Sequence, residues 1–316
     1  IELYPAIVEA YQQRISLIVC TADRPEYLVN TGANQTINQH NVYSNHIRYF
    51  VNSQLPSAKT GSIIKFLSEV KKALTVCLIK NRGPIHINFP FEKPLEPNSY
   101  TDSISSNQKK VITLYSQSSI KISNELISLS SWEKELLKDI TKTPNGIIIF
   151  GPLEPRYRLR RLTTSFAQII NYPIFADGCS QLRYGMHNKN KVISNFDSLL
   201  RSKKFSKNFK PGLIIQFGRT ATSKSLEEYL SVNKIKRYVI NEFGDEADPA
   251  RNAYKTLRTA PEIFLEKFLC ELHRIKFKRE INDYTLELIS TDRLIESFKE
   301  KYFDKIRDSV DKLELL

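Results

Sequence analysis

Gly146 to Asp177 reads GIIIFGPLEPRYRLRRLTTSFAQIINYPIFAD: an apolar run, a Gly-Pro break, a stretch with helical spacing, and a second apolar run. GIIIFG (Gly146–Gly151) has no polar side chain, so a strand made from it must be covered on both faces. Arg156 to about Ile170 then predicts a helix, and PIFAD (Pro173–Asp177) a second strand. The alternation continues with a helix over Phe196–Lys204, the strand GLIIQFG (Gly212–Gly218), a helix over Ser223–Val232 and the strand RYVINEF (Arg237–Phe243). Apolar strands separated by helical patterns predict a parallel sheet with helices on both sides. Residues 144–275 therefore read as a doubly wound α/β central domain.

Upstream, Tyr4–Arg14 has helical spacing and SLIVC (Ser16–Cys20) reads as a buried strand. Arg24–Tyr49 is polar and loop-like. A long amphipathic helix opens at Pro56-Ser57, with Ile63, Ile64, Phe66, Leu67, Val70 and Leu74 on one face. It breaks at Asn81-Arg82-Gly83-Pro84, before the strand IHINFPF (Ile85–Phe91) and an exit marked by Pro90, Pro94 and Pro97. Residues 1–95 form one domain on this reading, 96–143 a linker with a helix around Trp132–Ile140, and 276–316 a charged, solvated helical tail.

The chain has 316 residues, more than the roughly 250–300 at which single cores stop growing, which supports two domains. Hydrophobic residues make up 41% and charged residues 26%, the balance of a soluble globular protein, and no apolar run approaches the ~18–20 residues of a membrane span. Cys20, Cys77, Cys179 and Cys270 are too far apart for a zinc knuckle or a disulfide framework and read as buried free thiols. The five histidines are scattered, against a metal site built by the protein alone. The net charge of +13 gathers locally in RYRLRR (Arg156–Arg161) and RSKKFSKNFK (Arg201–Lys210). Nucleic-acid binding would use such charge. No zinc-finger, helix-turn-helix or RNA-recognition pattern accompanies it, and solvated helix faces with small-anion binding are the plainer reading.

Two loops carry candidate chemistry. In TADRPEYLVNTGANQ (Thr21–Gln35) a cation and two carboxamides follow the carboxyl end of a strand, the edge at which open α/β sheets bind ligands. Arg24 offers a fork for a carboxylate or phosphate, and Asn34 and Gln35 offer directional donors and acceptors. Pairing of Arg24 with Asp23 or Glu26 is the structural alternative. In GRTATSK (Gly218–Lys224), Thr222 or Ser223 can cap the next helix, whose free N–H groups favour an anion; Lys224 adds a charge there or is an ordinary surface lysine. A dinucleotide site is not expected. Gly151-Pro152-Leu153-Glu154-Pro155 has one glycine where the fingerprint needs three, and prolines where phosphate wants N–H donors.

Taken in order, TADRP, GANQTINQ, GPIHINFPFEKPL, FADGCSQLRYG and FGRTATSKSL resemble the thiamine-diphosphate-dependent 2-succinyl-5-enolpyruvyl-6-hydroxy-3-cyclohexene-1-carboxylate synthases, the MenD family, from Tyr4 to about Phe268. The first domain would then be the C-terminal part of a pyrimidine-binding domain. The resemblance implies decarboxylative joining of 2-oxoglutarate to isochorismate, on the route to menaquinone or phylloquinone. It implies thiamine diphosphate and Mg2+ (or Mn2+) as cofactors, dianionic small-molecule substrates, and a homo-oligomer of two or four subunits. It gives Arg24, Gln35 and Lys224 as substrate-binding residues and Asn34 as cofactor-binding; Ser225 stands where some members carry a second basic residue. The family's activating glutamate and its diphosphate–metal motif have no counterpart in this sequence, so the expectation is a chain incomplete at both ends and inactive alone, with no catalytic or metal-ligating residue of its own. A non-catalytic regulatory or assembly subunit and an acetolactate-synthase-type enzyme are the rivals. No nucleic-acid or membrane partner is expected, and the location is cytoplasmic, or plastid stroma for an algal source.

Overall fold

The structure is a computed structural model and describes residues 2–93, 104–117, 128–153, 156–243 and 248–313. It divides into two compact units, Ile1–Ser123 and Asn124–Leu316.

In the first unit α1 (Tyr4–Gln13) leads to β1 (Ile18–Asp23), then β2 (Tyr49–Asn52), α2 (Thr60–Thr75), β3 (Ile85–Pro90) and α3 (Ser106–Gln117). Pro5 lies in the first turn of α1, where its missing N–H has no intrahelical partner to lose. The three strands are parallel in the order β1-β3-β2. On one face Val51, Ile85 and Ile87 pack with Ala73 and Cys77 below α2; on the other, Val19 packs with Ile7 of α1 and with Tyr43.

Several expectations change here. The first strand runs past Cys20 to Asp23, because Thr21, Ala22 and Asp23 pair with Asn88, Phe89 and Pro90. It is also only half covered: Ile18 and Cys20 are exposed, and Cys179 and Cys270 are exposed too, so Cys77 alone of the four thiols is buried. Tyr49–Asn52, which starts at the end of the loop-like Arg24–Tyr49 and for which no strand is expected, is a strand. The predicted linker contributes α3, whose Gln108 Nε2 donates to the Ala58 carbonyl at 2.5 Å, and a further helix that belongs to the second unit's core. The amphipathic helix begins at Thr60 and passes into a five-residue π-helical turn, Val76–Lys80. Pro94, Pro97, Glu154 and Pro155 lie outside the described residues.

The second unit is α4 (Ser131–Lys142), β4 (Gly146–Phe150), α5 (Tyr157–Ile170), β5 (Ile174–Ala176), β6 (Val192–Ile193), α6 (Phe196–Arg201), α7 (Lys203–Asn208), β7 (Leu213–Phe217), α8 (Lys224–Val232), β8 (Arg237–Ile240), β9 (Lys255–Leu257), α9 (Pro261–Arg274) and α10 (Asp283–Leu313). Its six strands are parallel in the order β6-β5-β4-β7-β8-β9, so the chain starts at the centre and winds outward in both directions. Alternate residues of β4 face opposite layers. Ile148 and Phe150 pack with Leu136 of α4, Phe166 of α5 and Phe264 and Phe268 of α9. Ile147 and Ile149 belong to the other layer, with Phe196, Leu226 and Leu288 of α6, α8 and α10. This is the doubly wound arrangement expected from the apolar strands.

α4 is fixed by a capping box in which the Ser130 hydroxyl accepts from the Glu133 N–H and the Glu133 carboxylate accepts from the Ser130 N–H at 2.7 Å. α10 is not simply a solvated tail. Its first half is docked: Leu288 is buried, Tyr284 stacks on Phe209 at 5.7 Å, and Asp292 accepts from the Asn195 N–H at 2.7 Å.

Candidate functional site

The register of the first sheet puts polar groups together at its carboxyl edge. Thr21 lies opposite Asn88, which lies opposite Asn52, so one side-chain row crosses all three strands. The Thr21 hydroxyl donates to Asn88 Oδ1 at 2.7 Å, and Asn88 Nδ2 donates to Asp23 Oδ2 at 2.8 Å and to Asn52 Oδ1 at 3.0 Å. Thr21 Oγ1 is also 2.6 Å from His86 Nε2. Its one proton is committed to Asn88, so it accepts from His86, which places a proton on Nε2. His86 is fully buried between the rings of Tyr43 and Phe50, at 4.9 and 5.0 Å, and its Nδ1 has no hydrogen-bond partner. Burial disfavours the charged ring and lowers its pKa to about 4, against the opposing pull of Asp23.

Asp23 ends the strand, and its Oδ1 accepts from the Arg24 N–H at 2.8 Å, turning the chain into a 3-10 turn at Glu26–Leu28. Among the described residues the Arg24 guanidinium has no ion pair and no hydrogen bond; the pairing with Asp23 or Glu26 that the sequence allowed is not made. Instead Arg24 lines a cavity of about 630 Å³ with Asp23, Glu26, His40, Asn52 and Asn88. Asn34 and Gln35 are exposed on the following turn, Gln35 with a left-handed backbone at φ 58°, and neither lines that cavity. Reading the sequence by apolar runs missed Thr21, Asp23, Asn52, His86 and Asn88. The signal was there: polar residues alternate with others in CTAD and IHIN, the period that puts them on one face of paired strands.

In the second unit the crevice between β4 and β7, where the strand order reverses, is closed by backbone. A Cβ on Gly151 would stand 1.7 Å from the Arg219 carbonyl oxygen, and Leu153 lies over Gly218, whose φ is 70°. Among the described residues no cradle for a diphosphate remains there. Asp177 ties the loops, accepting from the Cys179 and Thr222 N–H groups at 2.7 Å each. Ser223 is the cap of α8, accepting from the Leu226 N–H at 3.1 Å. Ser225 turns inward: its hydroxyl and that of Ser223 each donate to Asp197 Oδ1 at 2.6 Å, and together they hold the Asp197 carboxyl below its usual range. Lys224 is exposed, 3.8 Å from Glu228, beside a groove of about 730 Å³ that also takes in Arg201, Lys203, Lys207 and Lys210. Among the described residues no group of three or more His, Cys, Asp or Glu side chains could hold a metal ion.

A doubly wound parallel domain and, in the other unit, a parallel sheet with a polar carboxyl edge define a class. The family model for the middle domain of thiamine pyrophosphate enzymes matches residues 109–304, and the chain belongs to that family. Membership implies thiamine diphosphate as the cofactor. Within the class, the relatives are 2-succinyl-5-enolpyruvyl-6-hydroxy-3-cyclohexene-1-carboxylate synthases, and the chain is MenD-like. The Bacillus cytotoxicus synthase is 30% identical over 283 residues, covering 89% of this chain and 47% of the relative. That of Trichodesmium erythraeum is 31% identical over 87% of this chain and 48% of its own, and that of Oceanobacillus iheyensis 33% over 75% and 40%. The chain thus spans about half the length of the curated relatives it matches. No helix among the described residues is long and apolar enough to cross a membrane.

Proposed function

We propose that this chain supplies the substrate-binding edge of a thiamine-diphosphate-dependent synthase that joins 2-oxoglutarate to isochorismate with loss of CO2, in menaquinone or phylloquinone biosynthesis. The observation that carries this reading is the unengaged Arg24 guanidinium in the cavity at the sheet's carboxyl edge. Both substrates are dianions, and a planar fork without a protein partner matches a carboxylate. Gln35 and Lys224 are the further substrate contacts on this reading, and Asn34 a cofactor contact.

The described residues do not fit the cofactor's diphosphate. The Gly151 crevice is filled, and the Arg24 cavity sets Asp23 and Glu26 beside its cation. On this reading these residues bind and orient substrate. The activity is proposed for the assembly that supplies the cofactor site and its Mg2+ (or Mn2+), a homo-oligomer of two or four subunits in the cytoplasm, or in the plastid stroma of an alga.

The test is incubation of the full-length protein with thiamine diphosphate, Mg2+, 2-oxoglutarate and isochorismate. Formation of the succinyl-cyclohexene product supports the reading. Acetolactate formed from pyruvate, or a tightly bound flavin, would replace it with the acetolactate-synthase-type alternative. Inactivity, together with co-purification with a complete synthase, would favour a regulatory subunit.

A further inference from the structure

Asp23 and Arg24 are adjacent, and a carboxylate beside an arginine in a partly enclosed cavity would ordinarily pair with it through charge-assisted hydrogen bonds. Here each carboxylate oxygen is already held by another donor. Oδ1 accepts from the Arg24 backbone N–H at 2.8 Å and Oδ2 from Asn88 Nδ2 at 2.8 Å. The Asn88 amide cannot turn away, because Thr21 donates to its Oδ1 at 2.7 Å and Asn52 accepts its second N–H at 3.0 Å. Asn88 is 1% exposed, on the central strand, so this orientation is set by three strands at once.

We propose that Asn88 is a positioning residue: it holds the Asp23 carboxylate off the Arg24 guanidinium and so keeps that cation available to an anionic substrate. The inference rests on the reading of Arg24 given above and adds a residue of the cavity wall that acts through Asp23. Donation runs in one direction, from His86 Nε2–H to Thr21, from Thr21 to Asn88, and from Asn88 to Asp23. A neutral, buried imidazole thus anchors one end of the chain and a carboxylate ends it. Without the Asn88 N–H, Oδ2 loses its donor, and the guanidinium of Arg24, in the same cavity lining, can replace it. Asp23 would then compete with the substrate.

The experiment measures equilibrium binding of 2-oxoglutarate and of isochorismate to the full-length protein. It compares wild type, Arg24→Ala, Asn88→Ala, Asp23→Asn and the Asn88→Ala/Asp23→Asn double variant. For whichever dianion Arg24→Ala weakens, Asn88→Ala should weaken binding about tenfold, and the double variant should restore it to within about threefold of wild type, because the competing charge is gone. Asn88→Ser makes the same comparison if the alanine variant does not fold. Wild-type binding by Asn88→Ala, or a double variant as weak as the single, would overturn the proposal, since a merely structural asparagine would not be rescued by neutralising Asp23. Binding of both dianions unchanged in Arg24→Ala would be a different failure, that of the Arg24 reading itself.

Discussion

His86 and Arg24 show how neighbouring residues at one sheet edge are held in opposite ways. His86 is buried with its Nδ1 unpartnered, so protonation would put a second N–H donor against the rings of Tyr43 and Phe50. Its folded pKa of about 4 lies below the ordinary 6.5, so between those values the unfolded chain binds more protons than the folded one. Stability should therefore be insensitive to this group above pH ~6.5 and fall as the pH drops towards 4. The full loss is about 3 kcal/mol, since one pKa unit is about 1.4 kcal/mol. Denaturant unfolding at pH 7 and pH 4.5 checks this: His86→Gln, which keeps a donor for Thr21 but cannot titrate, should lose distinctly less than wild type. An equal loss in both proteins would remove His86 as the cause. At Ser225, a hydroxyl 2.6 Å from Asp197 is already engaged within the fold, which makes it a packing contact of α8. Ser225→Ala should lower stability by about 1 kcal/mol and leave substrate KM unchanged.

Among the elements, the loop after β4 is the most constrained. Gly151→Ala would place a methyl group 1.7 Å from the Arg219 carbonyl oxygen, where backbone meets backbone and no rotamer relieves the clash. We expect a loss of about 2–4 kcal/mol in thermal or denaturant unfolding, at the upper end of overpacking costs. An unchanged midpoint would mean that the two loops are not in contact. Ser223→Ala should cost about 1 kcal/mol, the usual value of an N-cap. The strands of this sheet were legible in the sequence where they are central: GIIIFG, PIFAD, GLIIQFG and RYVINEF are each apolar enough to announce burial on both faces. Its edge strands were not, because Val192–Ile193 and Lys255–Leu257 are too short to show a period. β2 and α3 escaped for a related reason: each has few buried residues, so their sequences carry weak patterns. At the candidate site, Arg24 was legible as a cation in a loop after a strand. The Asn88 row was not, because its members come from three segments and only the parallel register aligns them.

At the scale of the whole molecule, some of the 47 lysines and arginines behind the net charge of +13 are paired within the fold. Arg237 is 1% exposed and donates to Gln216 at 2.7 Å and to Asn252 at 2.8 Å beside an ion pair with Asp248, while Arg156 is shared by Glu242 and Glu262 at 2.9 Å each. Arg237→Ala would remove the cation paired with the half-buried Asp248 and one donor to the buried Gln216, and should cost about 2–4 kcal/mol in denaturant unfolding. A loss below 1 kcal/mol would mean that water reaches the site. Charge used in this way is structural. The account stands on Arg24 being the cation that meets the dianionic substrates, and the measurement that tests it most directly is kcat/KM of the full-length protein for 2-oxoglutarate and isochorismate, with and without the Arg24→Ala substitution. The expected result is a fall of ~10–100-fold for at least one substrate, the value of one charge-assisted bond, in a variant that melts as wild type does. An unchanged kcat/KM for both would contradict it.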